Sequence, residues 1–117
     1  MFAVGIRTRP LIAVLSRIPL FIEALAATFE GIADVQGVAA DNAEVSGLVR
    51  AYRPDVVVAE PDVADSVDPL FPCVRIDLRA HELAVRDDGS WQRLEVELSP
   101  EAIRNVVVAR IYGGEVA

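Results

Sequence analysis

Residues 53–60 read Arg-Pro-Asp-Val-Val-Val-Ala-Glu, so a short apolar run follows a proline and ends at a carboxylate. The four residues Val56–Ala59 show no polar alternation, which is typical of a strand covered on both faces in a parallel sheet. Glu60 then lies at the carboxyl end of that strand. Because open α/β sheets bind their ligands at the carboxyl ends of strands, Glu60 is a candidate functional residue.

The residues before this run alternate between strand and helix signals. Residues 11–15 (LIAVL) form another unbroken apolar strand, and residues 35–39 predict a further one. Between them, good helix formers run from Pro19 to about residue 29 and stop at Gly31. A second helix is indicated by apolar residues with helical spacing: Val45, Leu48, Val49 and Tyr52. Parallel strands need helical crossovers, so the β-α-β-α-β order predicts a doubly wound, mainly parallel α/β sheet.

The second half of the chain has a different pattern. Prolines break residues 61–72, which leaves one helical turn around residues 63–67. Residues 73–78 then predict a fourth strand. Residues 82–98 alternate between apolar and polar side chains around Asp-Asp-Gly-Ser at residues 87–90, which predicts a β-hairpin.

A last helix is indicated by its boundaries. Ser99 can cap it, Pro100 suits its first position, and Glu101 complements the helix dipole in its first turn. Gly113 is predicted to end it. The elements together predict one domain over residues 1–117, with residues 1–10 as a flexible N-terminal segment.

Charge and composition exclude several classes of function. The chain has 18 acidic and 11 basic residues and a net charge of -7, which disfavours direct binding to nucleic acid. All basic residues are arginine, so lysine Schiff-base chemistry and a P-loop lysine are absent. An apolar share of 53% is high for a small monomer, and we therefore expect part of the surface to be buried against a partner.

No segment has the pattern of a membrane span. Arg17, Pro19 and Glu23 interrupt the apolar residues before they reach the length of about 20 residues that a bilayer requires. The apolar run at residues 11–15 is not followed by the small-residue cleavage region of a secretory signal peptide. We therefore predict a cytoplasmic protein that does not contact a membrane. Cys73 lies in an apolar run and is expected in the core, and a single cysteine excludes a cysteine-based metal cluster. We predict no cofactor and no metal site.

Two motifs in the first half of the chain, and the distance between them, resemble the receiver domains of bacterial response regulators, especially those of the NarL/LuxR type. Residues 19–25 (PLFIEAL) are similar to the start of the first receiver helix, and residues 53–58 (RPDVVV) are similar to the approach to the phosphorylated aspartate. A weaker similarity to the last receiver helix begins at Ser99, and the resemblance lapses over residues 61–97. It implies a flavodoxin-like (CheY-like) fold in which a β-hairpin replaces a helix.

The resemblance also implies a degenerate phosphoacceptor pocket. The metal-binding acidic pair of the family falls on Ser16 and Arg17, and a hydroxyl with a cation cannot hold Mg²⁺. The phosphoacceptor falls on Glu60, the switch hydroxyl falls near Asp77, and the switch lysine has no counterpart. Without metal and lysine, phosphoryl transfer has little electrostatic support, so we predict a protein that is not an enzyme.

We therefore expect an atypical, phosphorylation-independent pseudo-receiver in a bacterial two-component or transcription-control system. It would act through protein–protein contacts, as a homodimer or with a heteromeric partner. No helix-turn-helix is present, so transcriptional output would need another chain or a further segment. The interaction candidates lie on the predicted hairpin and near the last helix: Leu83, Val85, Trp91, Leu94, Val96 and Tyr112.

Two other functions stay open. A small ligand could occupy the degenerate pocket, where Arg17 suits an anion. An enzyme with an active site of carboxylates alone is the more distant alternative. Within the pocket, Arg17 and Glu60 form either an ion pair or two solvated charges at the end of the sheet.

Several other polar residues have two interpretations each. His81 is either a residue at the rim of the sheet or part of a carboxylate-rich metal site shared between chains. Asp87 with Asp88 is either a hairpin turn or a carboxylate pair. A calcium loop would need the acidic group Asp62, Asp65 and Asp68, which lacks the glycine and distal glutamate of an EF-hand. Trp91 and Tyr112 belong to the core or to an interface.

Overall fold

Strands and helices alternate through the first half of the chain, as the apolar runs predicted. The computed structural model describes residues 9–39, 45–87 and 89–112. Its elements are β1 (Leu11–Ser16), α1 (Pro19–Thr28), β2 (Asp34–Ala39), α2 (Val45–Tyr52), β3 (Val56–Ala59), α3 (Pro61–Ala64), β4 (Cys73–Asp77), β5 (Glu82–Arg86), β6 (Trp91–Leu94) and α4 (Pro100–Ile111). The predicted N-terminal segment lies outside the described residues except for its last two, and Gly113 also lies outside.

The six strands form one mixed sheet in the order β2-β1-β3-β4-β5-β6. The first four strands in this order are parallel to one another, whereas β5 is antiparallel to both β4 and β6. The prediction of a mainly parallel α/β sheet is therefore confirmed. Because β1 lies between β2 and β3, the connections leave it in opposite directions, and such a reversal opens a crevice at the carboxyl ends of β1 and β3.

Helices cover both faces of the parallel strands. One core layer contains Leu25 and Phe29 of the α1 side with Ile103 and Val107 of α4. The opposite layer contains residues of α2 and α3, among them Val49. Strand β3 contributes to both layers, which is why its sequence is apolar without alternation. The helices therefore cover the two faces of the sheet and leave the carboxyl ends of its strands open.

The hairpin is confirmed, but it belongs to a larger unit. Strand β5 pairs with β4 as well as with β6, so β4, β5 and β6 form a three-stranded antiparallel meander. The β4–β5 turn was not predicted. Asp77 Oδ1 accepts the N–H groups of Arg79 and Ala80 at 3.0 Å each, and His81 closes the turn with a φ of 57°.

The second hairpin strand is shorter than its alternation predicted. Strand β6 ends at Leu94, and the chain then turns towards α4. Leu98 packs against the core from this connection, whereas Val96 is exposed. Ser99 caps α4 as predicted, because its Oγ accepts the N–H of Ala102 at 3.0 Å.

Two glycines meet opposite surroundings. Gly37 of β2 lies under α1, and a Cβ at this position would approach Ile22 Cγ2 to 2.6 Å. Glycine at this strand position therefore permits the helix to pack closely on the sheet. Gly47 of α2 has nothing within 4 Å of such a Cβ.

Alanine at these two positions is expected to change stability in opposite directions. Gly37→Ala forces Ile22 or α1 to shift and should lower the unfolding free energy by about 1–3 kcal/mol. Gly47→Ala adds helix propensity without a clash and should raise it by about 0.5–1 kcal/mol. Urea denaturation of the two variants beside the natural chain measures both. Equal effects of the two substitutions would contradict the close packing of α1 on β2.

Candidate functional site

The Glu60 carboxylate joins the carboxyl ends of β1 and β3. The parallel register pairs Leu15 with Ala59, which places Ser16 beside Glu60. Ser16 Oγ donates a short hydrogen bond to Glu60 Oε2, and the N–H of Arg17 donates to the same oxygen at 3.0 Å. Ser16 Oγ also accepts the N–H of Ile18 at 2.9 Å. The carboxylate thus holds the first residues after β1 in one conformation.

Arg17 does not form an ion pair with Glu60, which was one of the two alternatives left open by the sequence. Its guanidinium Nη1 lies 3.5 Å from Asp62 Oδ2, and only its backbone N–H binds Glu60. The chain turns after β1, so the amide faces β3 while the long side chain reaches the first turn of α3. Both charged side chains are more than half exposed, so the Arg17–Asp62 pair contributes little to stability.

A cleft of about 430 Å³ lies next to Glu60. It is lined by Ile18, Glu60, Pro61, Asp62, Ile76, Asp77, Leu78 and Arg79. Of the four predicted pocket residues, Glu60 and Asp77 line the cleft, whereas Ser16 is buried behind Glu60. Asp62 and Arg79 were missed, although both lie within three residues of the end of a parallel strand, which is the signal that could have found them.

The charges around the cleft do not favour an anion. Three carboxylates line it, and Arg79 is the one guanidinium among the lining residues. The Arg17 side chain, which was predicted to suit an anionic ligand, is directed to Asp62 instead. An anion entering here would meet more negative than positive charge.

The acidic group at residues 62–68 does not form a calcium loop. Asp62 pairs with Arg17, and Asp65 Oδ1 accepts the indole N–H of Trp91 at 3.0 Å. Asp68 Oδ2 lies 3.0 Å from Nη2 of Arg50, and the amide of Leu70 together with Arg50 lowers the pKa of Asp68. In the part of the chain that the structure describes, no group of three acidic, histidine or cysteine side chains is arranged to hold a metal ion.

Two of the predicted interaction residues belong to the core. Leu83 is 0% exposed and Val85 is 2% exposed, because alternate residues of β5 face the layer under α1 and α4. They cannot contact a partner in the folded chain, and their assignment to an interface was wrong. Leu94 is half-buried against the same layer. Val96 and Tyr112 are exposed and stay candidates.

Trp91 packs against the core layer that contains residues of α2 and α3. The guanidinium carbon of Arg75 lies 4.6 Å and that of Arg86 lies 5.1 Å from the centre of its ring. Arg86 is only 5% exposed, and its Nη2 donates to the carbonyl of Val67 at 2.7 Å. Trp91 is half-buried against the core layer on this face, and both guanidinium groups lie within cation–π distance of its ring.

The remaining polar candidates occupy turns. His81 is exposed in the β4–β5 turn. Asp87 Oδ1 lies 3.0 Å from Nε of Arg110, which ties the β5–β6 turn to the end of α4. Asp88 lies outside the described residues. No helix in the described ranges is long and apolar enough to cross a membrane.

No protein-family model matches the chain, and no curated protein or solved structure matches it either. The likeness to receiver domains therefore depends on the two sequence motifs and the strand order. Function has to be inferred from the residues at the carboxyl end of the sheet and from the surfaces around them.

Glutamine at position 60 is expected to weaken this end of the sheet. Glu60→Gln replaces hydrogen bonds to a charged acceptor by neutral ones, and it should lower the unfolding free energy by about 1–3 kcal/mol in urea. Glu97→Gln is the matched control, because Glu97 is exposed and has no hydrogen bond among the described residues. Equal stability of the two variants would show that Glu60 does not hold β1 to β3.

Cys73 provides a pH-dependent test of the core. The thiol is buried as predicted, and desolvation raises its pKa to about 12 from a reference value of 9.0. Above about pH 9 the thiol ionises in the unfolded chain before it does so in the folded chain, so stability falls as the pH rises. Between pH 8 and pH 10 we expect a loss of about 1.4 kcal/mol that Cys73→Ala does not show. The same loss in that variant would contradict the burial of the thiol.

Proposed function

We propose that this protein is a receiver-like, phosphorylation-independent module that works through protein–protein contacts in bacterial signalling or transcription control. The observation that carries the proposal is the arrangement of Glu60. Its position corresponds to the phosphoacceptor in the resemblance, and its carboxylate accepts hydrogen bonds from Ser16 and from the backbone of Arg17. The carboxylate thus has a structural role, because it connects the ends of β1 and β3.

The surrounding residues lack what phosphoryl transfer needs. A receiver-type reaction uses hard anionic ligands for Mg²⁺ and cations that stabilise the charge of the transferred group. Here a serine and an arginine occupy the metal-binding positions, and the chain has no lysine. The Arg17 guanidinium faces Asp62 rather than the position beside Glu60 where a phosphoryl group would lie.

The strand order supports the receiver-like fold. The sequence β2-β1-β3-β4 is the start of the flavodoxin-like order, and the crevice at β1 and β3 lies where that fold places its site. The meander then replaces the region in which receivers have a further helix. We expect this replacement to change the contact surface while the crevice keeps a single conformation.

Contact with other chains is the expected output. Strand β6 is an edge of the sheet, so one side of its backbone has no strand partner among the described residues. Such an edge can pair with a second chain, as a homodimer or with another protein. We place this module in the cytoplasm, where its proposed partners in signalling would be found.

Phosphate labelling is the test. Incubation with acetyl phosphate and Mg²⁺ should leave the intact mass unchanged, because neither metal ligation nor charge stabilisation is provided at Glu60. Self-association measured by light scattering over a concentration series should be the same with and without the donor. Stoichiometric labelling that Glu60→Ala removes, and that the control Asp62→Ala keeps, would contradict the proposal.

A further inference from the structure

Exposed apolar side chains gather at the carboxyl end of the sheet. Ile18 is 44% exposed, Leu20 is 72% exposed and Leu78 is 44% exposed, and together they are half of the six large apolar side chains described as exposed. Ile18 and Leu78 line the cleft beside Glu60, and Leu20 lies in the first turn of α1, two residues after Ile18. Apolar side chains that lie together on a surface mark contact sites.

The same end of the sheet is acidic. Carboxylates of the cleft and of the adjacent strand ends are Glu60, Asp62, Asp77, Glu82, Glu95 and Glu97. Among the described residues near these strand ends, the guanidinium groups are those of Arg17, Arg79 and Arg93, so six negative charges face three positive ones. Arg17 is paired with Asp62 and Arg93 is paired with Glu82, which leaves the surface with a net negative charge.

We call this surface the carboxyl-end rim, and define it by Ile18, Leu20 and Leu78 with the carboxylates Glu60, Asp62 and Asp77. Its chemistry selects among possible occupants. A small anion would be repelled, and a second copy of the chain brings a net charge of -7 of its own. A peptide segment in which lysine or arginine alternates with leucine, isoleucine or valine complements both the charge and the apolar side chains.

We propose that the carboxyl-end rim binds a basic, amphipathic segment of a partner protein, with an apolar side chain of that segment in the cleft between Ile18 and Leu78. The cleft volume of about 430 Å³ lies at the lower end of the range for ligand sites, about 300–1,000 Å³, and suits side chains rather than a whole folded element. The inference rests on the proposed function, since it names the kind of partner that the interaction module would bind.

The probe for this inference is a synthetic amphipathic peptide of lysine and leucine, with a control peptide in which glutamate replaces every lysine. ¹⁵N–¹H spectra of the full chain should show shifts around residues 16–20, 60–62 and 77–79 with the basic peptide. The glutamate peptide should cause none. Shifts scattered over the surface, or equal binding of the two peptides, would overturn the proposal.

Matched variants separate the rim from general attraction between opposite charges. Leu78→Ser and Asp62→Lys should each weaken the basic peptide by about tenfold. The controls Leu70→Ser and Asp34→Lys make the same changes at exposed positions near the opposite end of the strands, and they should leave binding within about twofold. Circular dichroism confirms that each variant is folded. Equal weakening by a control and its partner variant would overturn the assignment to the rim.

Two other outcomes are distinguishable. If Leu78→Ser changes the apparent mass in light scattering and leaves peptide binding intact, the rim is a contact between two copies and the basic partner is wrong. If the peptide does not bind while Glu60 also stays unlabelled by acetyl phosphate, this inference fails and the proposed function stands. Labelling of Glu60 would contradict the proposed function whatever the peptide does.

Discussion

The hydrogen bonds of Glu60 are the constraint on which the carboxyl end of the sheet depends. The carboxylate of one strand end binds the hydroxyl and the first free amide of its neighbour, and so fixes the direction in which the chain leaves β1. The start of α1, the orientation of Arg17 and one wall of the cleft all follow from that direction. Both hydrogen bonds reach the same oxygen, Oε2, so this oxygen is engaged inside the fold while the carboxylate also lines the cleft.

The antiparallel meander affects which surfaces are open to a partner. Residues of β5 bury their apolar side chains against α1 and α4, while the other face carries Arg86 under Trp91. Arg86 stacks on Trp91 and donates from Nη2 to the Val67 carbonyl on this face. The surfaces that we propose for partner contacts are the β6 edge and the carboxyl-end rim, and Val96 and Tyr112 stay exposed candidates, whereas Leu83 and Val85 of the hairpin are buried.

Sequence patterns predicted the elements better than their contacts. The unbroken apolar runs of β1 and β3 indicate burial on both faces, and Ser99 with Pro100 indicates the start of a helix. Both patterns are readable because they depend on the chemistry of neighbouring residues. The β4–β5 pairing was missed because its turn depends on two features without a recognisable turn motif. Asp77 accepts two backbone amides, and His81 has a left-handed backbone conformation.

The candidate site was predicted in position and not in pairing. The end of a strand located Glu60, because parallel strands finish at one edge, and the resemblance to receiver domains located Asp77. The partner of Arg17 could not be predicted, since a long side chain at a turn reaches several carboxylates and backbone direction decides among them. Leu83 and Val85 were misassigned because alternation shows which residues share a face but not whether helices cover it.

The most direct measurement is a titration of the full chain with Mg²⁺ and beryllium fluoride, a mimic of the phosphoryl group, followed through the backbone amide resonances of Arg17 and Glu60. With Glu60 held by Ser16 and the Arg17 amide, both resonances should keep their positions throughout the titration. Saturable shifts at these two amides that disappear in Glu60→Ala would show a pocket able to accept phosphate, and would contradict a phosphorylation-independent module.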